Sequence, residues 1–335
     1  MKRIFAFGRS FAALSVVLTV AACGGGGGGS SPPPTPSSKT FAADAGNSAI
    51  GSAVSSNPGP GVFAIDRIIQ GPATRLAGGI PGMVVDAAAD RMFVAVQGQL
   101  LVFDQAGLQA GNVPPSRTVM ATVNKGGTNF GVNFFHLSLD SAANVLYTAD
   151  PSGEVHIFNN ASAVNGAGLT PDRTIVPTGG IGVGGGGIAI DPPRDALYVG
   201  SNSNTILVFN NARLADSTPN GTLAPNRTLT FSGGVSSFFL DTGNDRLYAA
   251  VNTDIQVFDN ASTLPSGPVS ATRTMNLGQS GWHIFVETSG NRLYAARFNT
   301  IVIVQNASTS SGAVGGTIVT VSGAAVDLRA IAVKP

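Results

Sequence analysis

The chain has 335 residues, of which 43% are hydrophobic and only 11% are charged, and its formal net charge is +1. A chain with so few charges and no basic patch lacks the usual footprint of a nucleic-acid binder, so we predict no nucleic-acid partner. Its single cysteine, Cys23, excludes an intramolecular disulfide, so any folded domain must be held together by its own core.

Residues 1–22 have the layout of an export signal. Lys2, Arg3 and Arg9 make a positively charged start, and a short apolar run from Phe11 to Val20 follows. That run is too short for a comfortable transmembrane helix, and small residues come directly after it. We therefore expect an exported protein whose first 22 residues are a signal peptide.

The residues Val20-Ala21-Ala22-Cys23 resemble the bacterial lipobox. The resemblance implies cleavage before Cys23 and lipidation of that cysteine, and the alternative is an ordinary signal peptide with a chance cysteine. In lipoproteins of bacteria with two membranes, an uncharged residue after the cysteine, here Gly24, usually implies the outer membrane. We therefore expect a lipid anchor in the bacterial membrane, most often the outer one, with the protein on its periplasmic or cell-surface face.

A segment rich in Gly, Ser and Pro follows the cysteine. Six glycines and the run "SSPPPTPSS" cannot bury apolar surface, which predicts disorder. We interpret residues 23–39 as the lipidated cysteine and its tether, and residues 40–335 as one folded domain.

That domain contains an internal repeat of about 50 residues. Each copy has an aromatic residue after a Leu or Met: Phe93, Tyr147, Tyr198, Tyr248 and Tyr294. Six residues before each of those Leu or Met residues there is an acid: Asp86, Asp140, Asp191, Asp241 and Glu287. A period of this length indicates a repeated supersecondary unit.

Each unit reads as four short strands, A to D. In one copy they are "IAID" (188–191), "LYVG" (197–200), "ILVF" (206–209) and "RTLTF" (227–231). All are rich in Val, Ile, Leu, Phe and Tyr and are bounded by turn residues. Four strands per unit are typical of a propeller blade, and strands A and B are apolar enough for burial on both faces.

The chain contains five complete units and parts of a sixth. A last strand A, "RAIAV" (329–333), ends the sequence, and "GVFAIDRIIQ" (61–70) contains a candidate strand D. We predict an all-β fold, a β-propeller of six four-stranded blades whose last blade is closed by strands from both termini. Five or seven blades are alternatives. Residues 40–60 either supply strands B and C of that blade or cover it.

The unit "GIAIDPPRDALYVGSNSNTILVFNNA" resembles the NHL and YVTN-type propeller repeats of bacterial exported proteins. The resemblance extends from about residue 60 to the end of the chain. It implies the fold and an exported lipoprotein, but it implies little about activity because propellers host many unrelated functions.

Two polar patterns recur in every complete unit. The strand-A acid is followed four residues later by Asp or Asn, as in Asp140 and Asn144, which suggests either calcium ligands or the A–B turn. A polar pair and an alanine follow strand C, as in "NNAS" (159–162), which formally matches a glycosylation acceptor. Because both patterns recur at fixed places, we interpret them as turns.

His136 and His283 occupy the same position in strand A of units two and five, which face each other across the axis of a six-bladed ring. Strand A begins at the face that carries the D–A and B–C loops, where related propellers usually bind ligands. The alternative is that both histidines only cap strand ends, and His156 on strand C is interpreted as incidental. The candidate ligand-binding residues of that face are Asn133, His136, Asp150, Asn202, Asp254, Trp282, His283 and Arg297.

These features predict a membrane-anchored binding or scaffolding module for a protein, peptide or glycan, without a cofactor or metal. The alternative is a metal-dependent lactonase or esterase acting at the central funnel. Six-bladed enzymes of that type, which resemble this chain in architecture, hold calcium at the axis with Glu, Asn and Asp side chains. This chain has only two glutamates, Glu154 and Glu287, so no such set is visible in the sequence.

Overall fold

A computed structural model describes residues 39–334 of the chain, apart from residues 54, 56, 58, 63, 64, 179–185, 202, 203, 218–220 and 323–325. The predicted signal peptide, Cys23 and the tether up to residue 38 lie outside the described residues. Within that part, none of the helices is long and apolar enough to cross a membrane. The helical segments there are single 3₁₀ turns: Pro72–Thr74, Ala106–Leu108, Ala161–Ala163, Pro192–Arg194 and Ala261–Thr263.

The described residues form six blades, each a sheet whose first four strands run antiparallel from the axis outwards in the order A, B, C, D. In the order of blades 1 to 6, the A strands are Gly82–Asp86, His136–Asp140, Ile188–Asp191, Val235–Asp241, His283–Glu287 and Leu328–Lys334. The B strands are Arg91–Val96, Val145–Ala149, Ala196–Ser201, Arg246–Val251, Arg292–Arg297 and Lys39–Asp44. The C strands are Gln99–Asp104, Val155–Asn159, Thr205–Asn210, Asp254–Asp259, Thr300–Gln305 and Ala49–Ala53. The D strands are Arg117–Lys125, Arg173–Ile175, Arg227–Thr230, Arg273–Asn276, Thr317–Thr320 and Arg67–Gln70.

Blade 6 is assembled from both ends of the chain. Its innermost strand is the C-terminal Leu328–Lys334, which pairs antiparallel with Lys39–Asp44. The six-bladed closure is therefore confirmed, and residues 40–60 supply strands B and C of this blade rather than a cover. Pairing the two chain ends removes the open sheet edges that a chain ending between blades would leave.

The core lies between neighbouring blades. The strand-B tyrosines and Phe93 are all almost fully buried, and strand B is buried along nearly its whole length on both faces, as predicted. The same prediction is wrong for strand A, because many of its side chains are only half-buried. One of its faces lines the central channel instead of packing against a neighbouring blade.

The outer edge of each blade is covered by the next blade's C–D connector, an arrangement that the repeat pattern did not predict. The covering segments pair parallel with the neighbouring strand D or with the residue beside it. Four of them are short strands: Gly61–Val62, Gly166–Leu169, Gly267–Pro268 and Gly312–Ala313. Two are single bridges, Ile69 with Gly111 and Pro177 with Leu223. Among the described residues every blade edge is thus paired, which protects it from edge-to-edge association.

Both recurring polar patterns are turns, as predicted. In blade 2, Asn144 and Asn160 adopt left-handed backbone conformations, with φ of 58° and 52°. The Ala161 amide donates to the Asn144 carbonyl at 2.9 Å, and the Ser162 amide donates to Asn144 Oδ1 at 2.8 Å. The same pair of bonds occurs in blades 1 to 5, with a buried alanine each time. The "NAS" motif therefore joins the C–D connector to the A–B turn.

Candidate functional site

The central channel and its mouth lie on the axis of the ring. The channel is a cavity of about 380 Å³ lined by strand A of all six blades. The mouth is a cavity of about 590 Å³ at the face that carries the D–A and B–C loops, which we call the upper face. The two cavities share Pro81, His136, His283 and Arg329. The mouth therefore opens directly over the channel.

The predicted pair of histidines meets at this mouth. Burial lowers the pKa of His136 to about 4, and the nearby His283 lowers it further. Burial also lowers the pKa of His283 to about 4, with Arg329 acting in the same direction. Both imidazoles are therefore neutral at neutral pH, and each carries one hydrogen-bond donor and one acceptor. The Phe135 ring packs edge-on against the His136 ring, with 4.7 Å between the ring centroids.

The rim of the mouth combines an ion pair with amide groups. Arg329 bonds to Asp327 at 2.8 Å, and its guanidinium side chain is half exposed. Asn133 Oδ1 accepts a hydrogen bond from the Gly98 amide at 3.2 Å. Asn133 was among the sequence candidates, whereas Arg329 and Asp327 were missed. They begin the last strand A, and only the closure of blade 6 brings them beside His283.

Three other candidates do not line the mouth, and Asn202 falls outside the described residues. Trp282 is only 2% exposed and packs in the core between blades 4 and 5, where its Nε1 donates to the Gln279 carbonyl. Asp254 accepts from Asn276 at the end of blade 4. Arg297 bonds to Gln279 and lies over the Phe298 ring. The candidates that the structure brings together at the mouth are thus Asn133, His136 and His283.

Asp150 belongs to a second group, which we call the blade 2 polar cluster: Asp150, Glu154 and His156. All three side chains are buried, and His156 Nε2 lies 3.2 Å from Asp150 Oδ2 and 3.7 Å from Glu154 Oε2. Burial opposes ionisation of Asp150, but hydrogen bonds from His156 and Ser152 outweigh it and lower the pKa of this carboxyl below its usual range. His156 is therefore a cluster member rather than an incidental residue. The sequence did contain a signal for this cluster: two acids and a histidine occur within seven positions, from the B–C loop into strand C, and the other units have no such set.

Below the mouth the channel is mostly apolar. The Phe239 and Phe285 rings pack edge-to-face with centroids 5.1 Å apart. Two serine hydroxyls join neighbouring inner strands: Ser138 Oγ accepts from the Ile190 amide at 3.0 Å, and Ser237 Oγ accepts from the Ile284 amide at 3.0 Å. These hydroxyls are used by the ring itself, and the amide and acidic side chains Gln97, Asn133 and Asp327 line the mouth but not the channel.

The arrangement is suited to recognition by hydrogen bonds around one cavity. A mouth of this volume, with neutral imidazoles, an amide and a guanidinium over an apolar floor, accepts a chain end, a side chain or a sugar unit. Within the described ranges, a set of three His, Cys, Asp or Glu side chains close enough to share one ion occurs at the blade 2 polar cluster and not at the axis.

Comparisons with known proteins concern the fold. No family model matches the chain, and no curated protein matches it in sequence. Among solved structures, 1318 chains match. One is the C-terminal WD40 domain of Sif2, which is 10% identical with a TM-score of 0.45, over 83% of this chain and 68% of that one. The chain is a six-bladed, all-β propeller, an assignment that rests on the strand order of its six sheets.

Proposed function

We propose that this chain is an exported bacterial lipoprotein of the NHL or YVTN type, anchored through Cys23, that binds a protein, peptide or glycan at the mouth of its propeller. Propellers commonly serve as interaction scaffolds. The observation that carries the proposal is the mouth itself, where groups from several blades converge on one cavity above an apolar channel.

The position of the chain ends supports the anchoring part of the proposal. Lys39 pairs with Lys334, at the end of blade 6 where the other blades have their A–B turns. The preceding residues therefore join the propeller at the face opposite the mouth, which we call the lower face. The attachment point of the proposed anchor is therefore not among the residues that line the mouth.

The anchor is tested by the substitution Cys23→Ser. We expect the variant to move from the membrane fraction to the soluble exported fraction, because it lacks the acylated sulfur. Retention of Cys23→Ser in the membrane fraction would contradict the lipoprotein assignment without affecting the mouth.

Binding at the mouth is tested with a displayed peptide library and a glycan array. We expect the wild-type protein to select ligands whose affinity falls at least about tenfold in His283→Ala and in Arg329→Glu, since both residues line the mouth. Arg213→Gln is the control, because Arg213 pairs with Asp140 at the lower face. Ligands that lose affinity only in the control would place the binding surface elsewhere.

A hydrolase acting at the funnel is the second candidate function. The observation that favours it is the neutral imidazole pair, because each ring has an unprotonated nitrogen and both residues line the mouth, although a pKa of about 4 makes each a weak base at neutral pH. Hydrolysis of a lactone or a nitrophenyl ester that depends on Ca²⁺ and disappears in His136→Gln would support it. Absence of turnover, together with a melting temperature unchanged by calcium, would favour the binding module.

A further inference from the structure

The blade 2 polar cluster directs three potential ligand atoms toward one point. His156 Nε2 is 3.2 Å from Asp150 Oδ2 and 3.7 Å from Glu154 Oε2, and the three atoms lie within 4.8 Å of one another. Tetrahedral zinc with bonds of about 2.0–2.2 Å places its ligands about 3.3–3.6 Å apart. The two distances from the histidine bracket that separation.

The remaining oxygens of the two carboxylates are already used. Asp150 Oδ1 accepts from Ser152 Oγ at 2.7 Å and from the Glu154 amide at 3.1 Å. Glu154 Oε1 pairs with Lys125 at 2.5 Å. These contacts hold both carboxylates so that their second oxygens face His156.

Glu154 Oε2 gives an independent indication of a bound ligand, because no group in the described part of the protein satisfies this oxygen. Glu154 is 7% exposed, and this oxygen is buried without a hydrogen-bond partner. A buried carboxylate oxygen without a donor is costly, so native structures rarely keep one. Thr148, opposite His156 in the strand register, also has a fully buried hydroxyl without a partner. Two buried polar atoms on this face of blade 2 therefore have no hydrogen-bond partner among the described residues.

His156 is positioned as a metal-binding histidine would be. Its ring is fully buried, and Nδ1 lies 3.3 Å from Thr174 Oγ1. Without a metal ion, Nε2–H donates to Asp150 Oδ2 at 3.2 Å. Metal binding uses the other neutral tautomer, in which Nδ1–H donates to Thr174 Oγ1 and the Nε2 lone pair binds the ion. A hydrogen bond that holds the ring nitrogen away from the metal is typical of histidines that ligate metals.

We propose that Asp150, Glu154 and His156 bind one divalent first-row transition-metal ion, for which Zn²⁺ fits best. An imidazole and two carboxylates suit such ions, whereas Ca²⁺ and Mg²⁺ prefer all-oxygen sets with more ligands. The charge also fits, because Lys125 neutralises only one of the two carboxylates. The site lies at the blade 1 side of blade 2, away from the axis, so it is independent of ligand binding at the mouth.

The direct test is calorimetric titration of chelator-treated protein with ZnCl₂, followed by the absorption spectrum of the Co²⁺ form. We expect one ion per chain and the visible bands of four-coordinate Co²⁺. His156→Gln and Glu154→Gln should each weaken Zn²⁺ binding at least about 100-fold, and Thr174→Val about tenfold. Far-UV circular dichroism of each variant shows that it has folded.

Two controls separate a metal site from a network of ion pairs. The double variant His136→Gln/His283→Gln should bind Zn²⁺ as the wild type does, because it removes the other two histidines of the chain. Lys125→Met should weaken Zn²⁺ binding by less than His156→Gln does, since Lys125 only holds Glu154 Oε1 and provides no ligand atom. The absence of stoichiometric binding, or binding that survives His156→Gln but is lost in the double variant, would overturn the proposal.

Discussion

The lower and upper faces of the ring differ in how closely they repeat. At the lower face, blades 1 to 5 use the same turn, in which an Asp or Asn in the left-handed conformation accepts from the amide that follows a buried alanine. At the upper face, the mouth is built from residues that differ between blades, such as Asn133, His136 and Arg329. The comparison indicates that repeated polar residues stabilise the ring, whereas unrepeated ones are the candidates for function.

The largest effect is expected for Gly82→Ala, which tests whether close packing of the inner strands in the upper half of the channel is needed for stability. A Cβ atom added to Gly82 would lie 2.2 Å from the Phe135 carbonyl oxygen, so two inner strands would have to separate. We expect Gly82→Ala to lower the free energy of unfolding by about 3 kcal/mol, measured by urea denaturation. Gly131→Ala is the matched control, because nothing lies within 4 Å of its added Cβ. Equal stability of the two variants would show that the strands are free to separate.

The next prediction compares the stability of alanine variants at two asparagines that have the same backbone conformation but lie on opposite faces of the ring. Asn291 at the lower face has φ of 51°, and Asn252 at the upper face has φ of 53°. Alanine in a left-handed conformation costs about 1 kcal/mol at either site. Asn291→Ala also loses bonds to the Ser308 amide and hydroxyl, at 2.8 and 2.9 Å, whereas Asn252→Ala loses one bond from the Gly234 amide at 3.2 Å. The extra bond at Asn291 makes a difference of about 1 kcal/mol. We expect calorimetry to rank Asn291→Ala below Asn252→Ala in stability, and the reverse order would contradict the role of the repeated turn.

A separate effect, which depends on pH, belongs to the mouth histidines. His136 and His283 have a pKa of about 4 when folded, against about 6.5 when unfolded. The unfolded chain therefore binds protons first, and stability is lost as the pH falls from about 6.5 to about 4. His283 also faces Arg329, which lowers its pKa, and Asp327, which raises it. Because His136→Gln/His283→Gln removes both titrating groups, we expect the melting temperature of this variant to change less with pH in this range. Parallel profiles for both proteins would show that other groups cause the acid sensitivity.

The smallest effect is expected for Arg329→Gln. The Arg329–Asp327 ion pair is half exposed, and such pairs contribute about 0–1 kcal/mol. We expect the free energy of unfolding in urea to change by less than about 0.5 kcal/mol. Because the same residue lines the mouth, loss of ligand affinity without loss of stability would sharpen the distinction between the two faces. A large loss of stability would instead show that Arg329 stabilises the folded ring.

The features that could be predicted from the sequence are those in which particular side chains repeat from unit to unit, and the features that were missed lack such a repeat. The aromatic residues of strand B and the turn at Asn160 could be located because five copies of each establish their roles. The parallel segments that cover the blade edges left no pattern, since backbone pairing at Gly61 or Gly312 needs no particular side chain. Arg329 and the grouping of Asp150 with Glu154 and His156 were missed for another reason. Each occurs once, and only the folded ring shows which groups lie beside it.

The pairing of the two chain ends in blade 6 also determines when folding is able to finish. The strand Lys39–Asp44 needs the C-terminal strand on its inner side, so its core residue Phe41 cannot be fully covered until the last residues have been synthesised. Contacts between chain ends so distant in sequence form slowly. A chain that lacks the strand Leu328–Lys334 would therefore be unable to close its ring, and its exposed strand edges would favour aggregation or degradation.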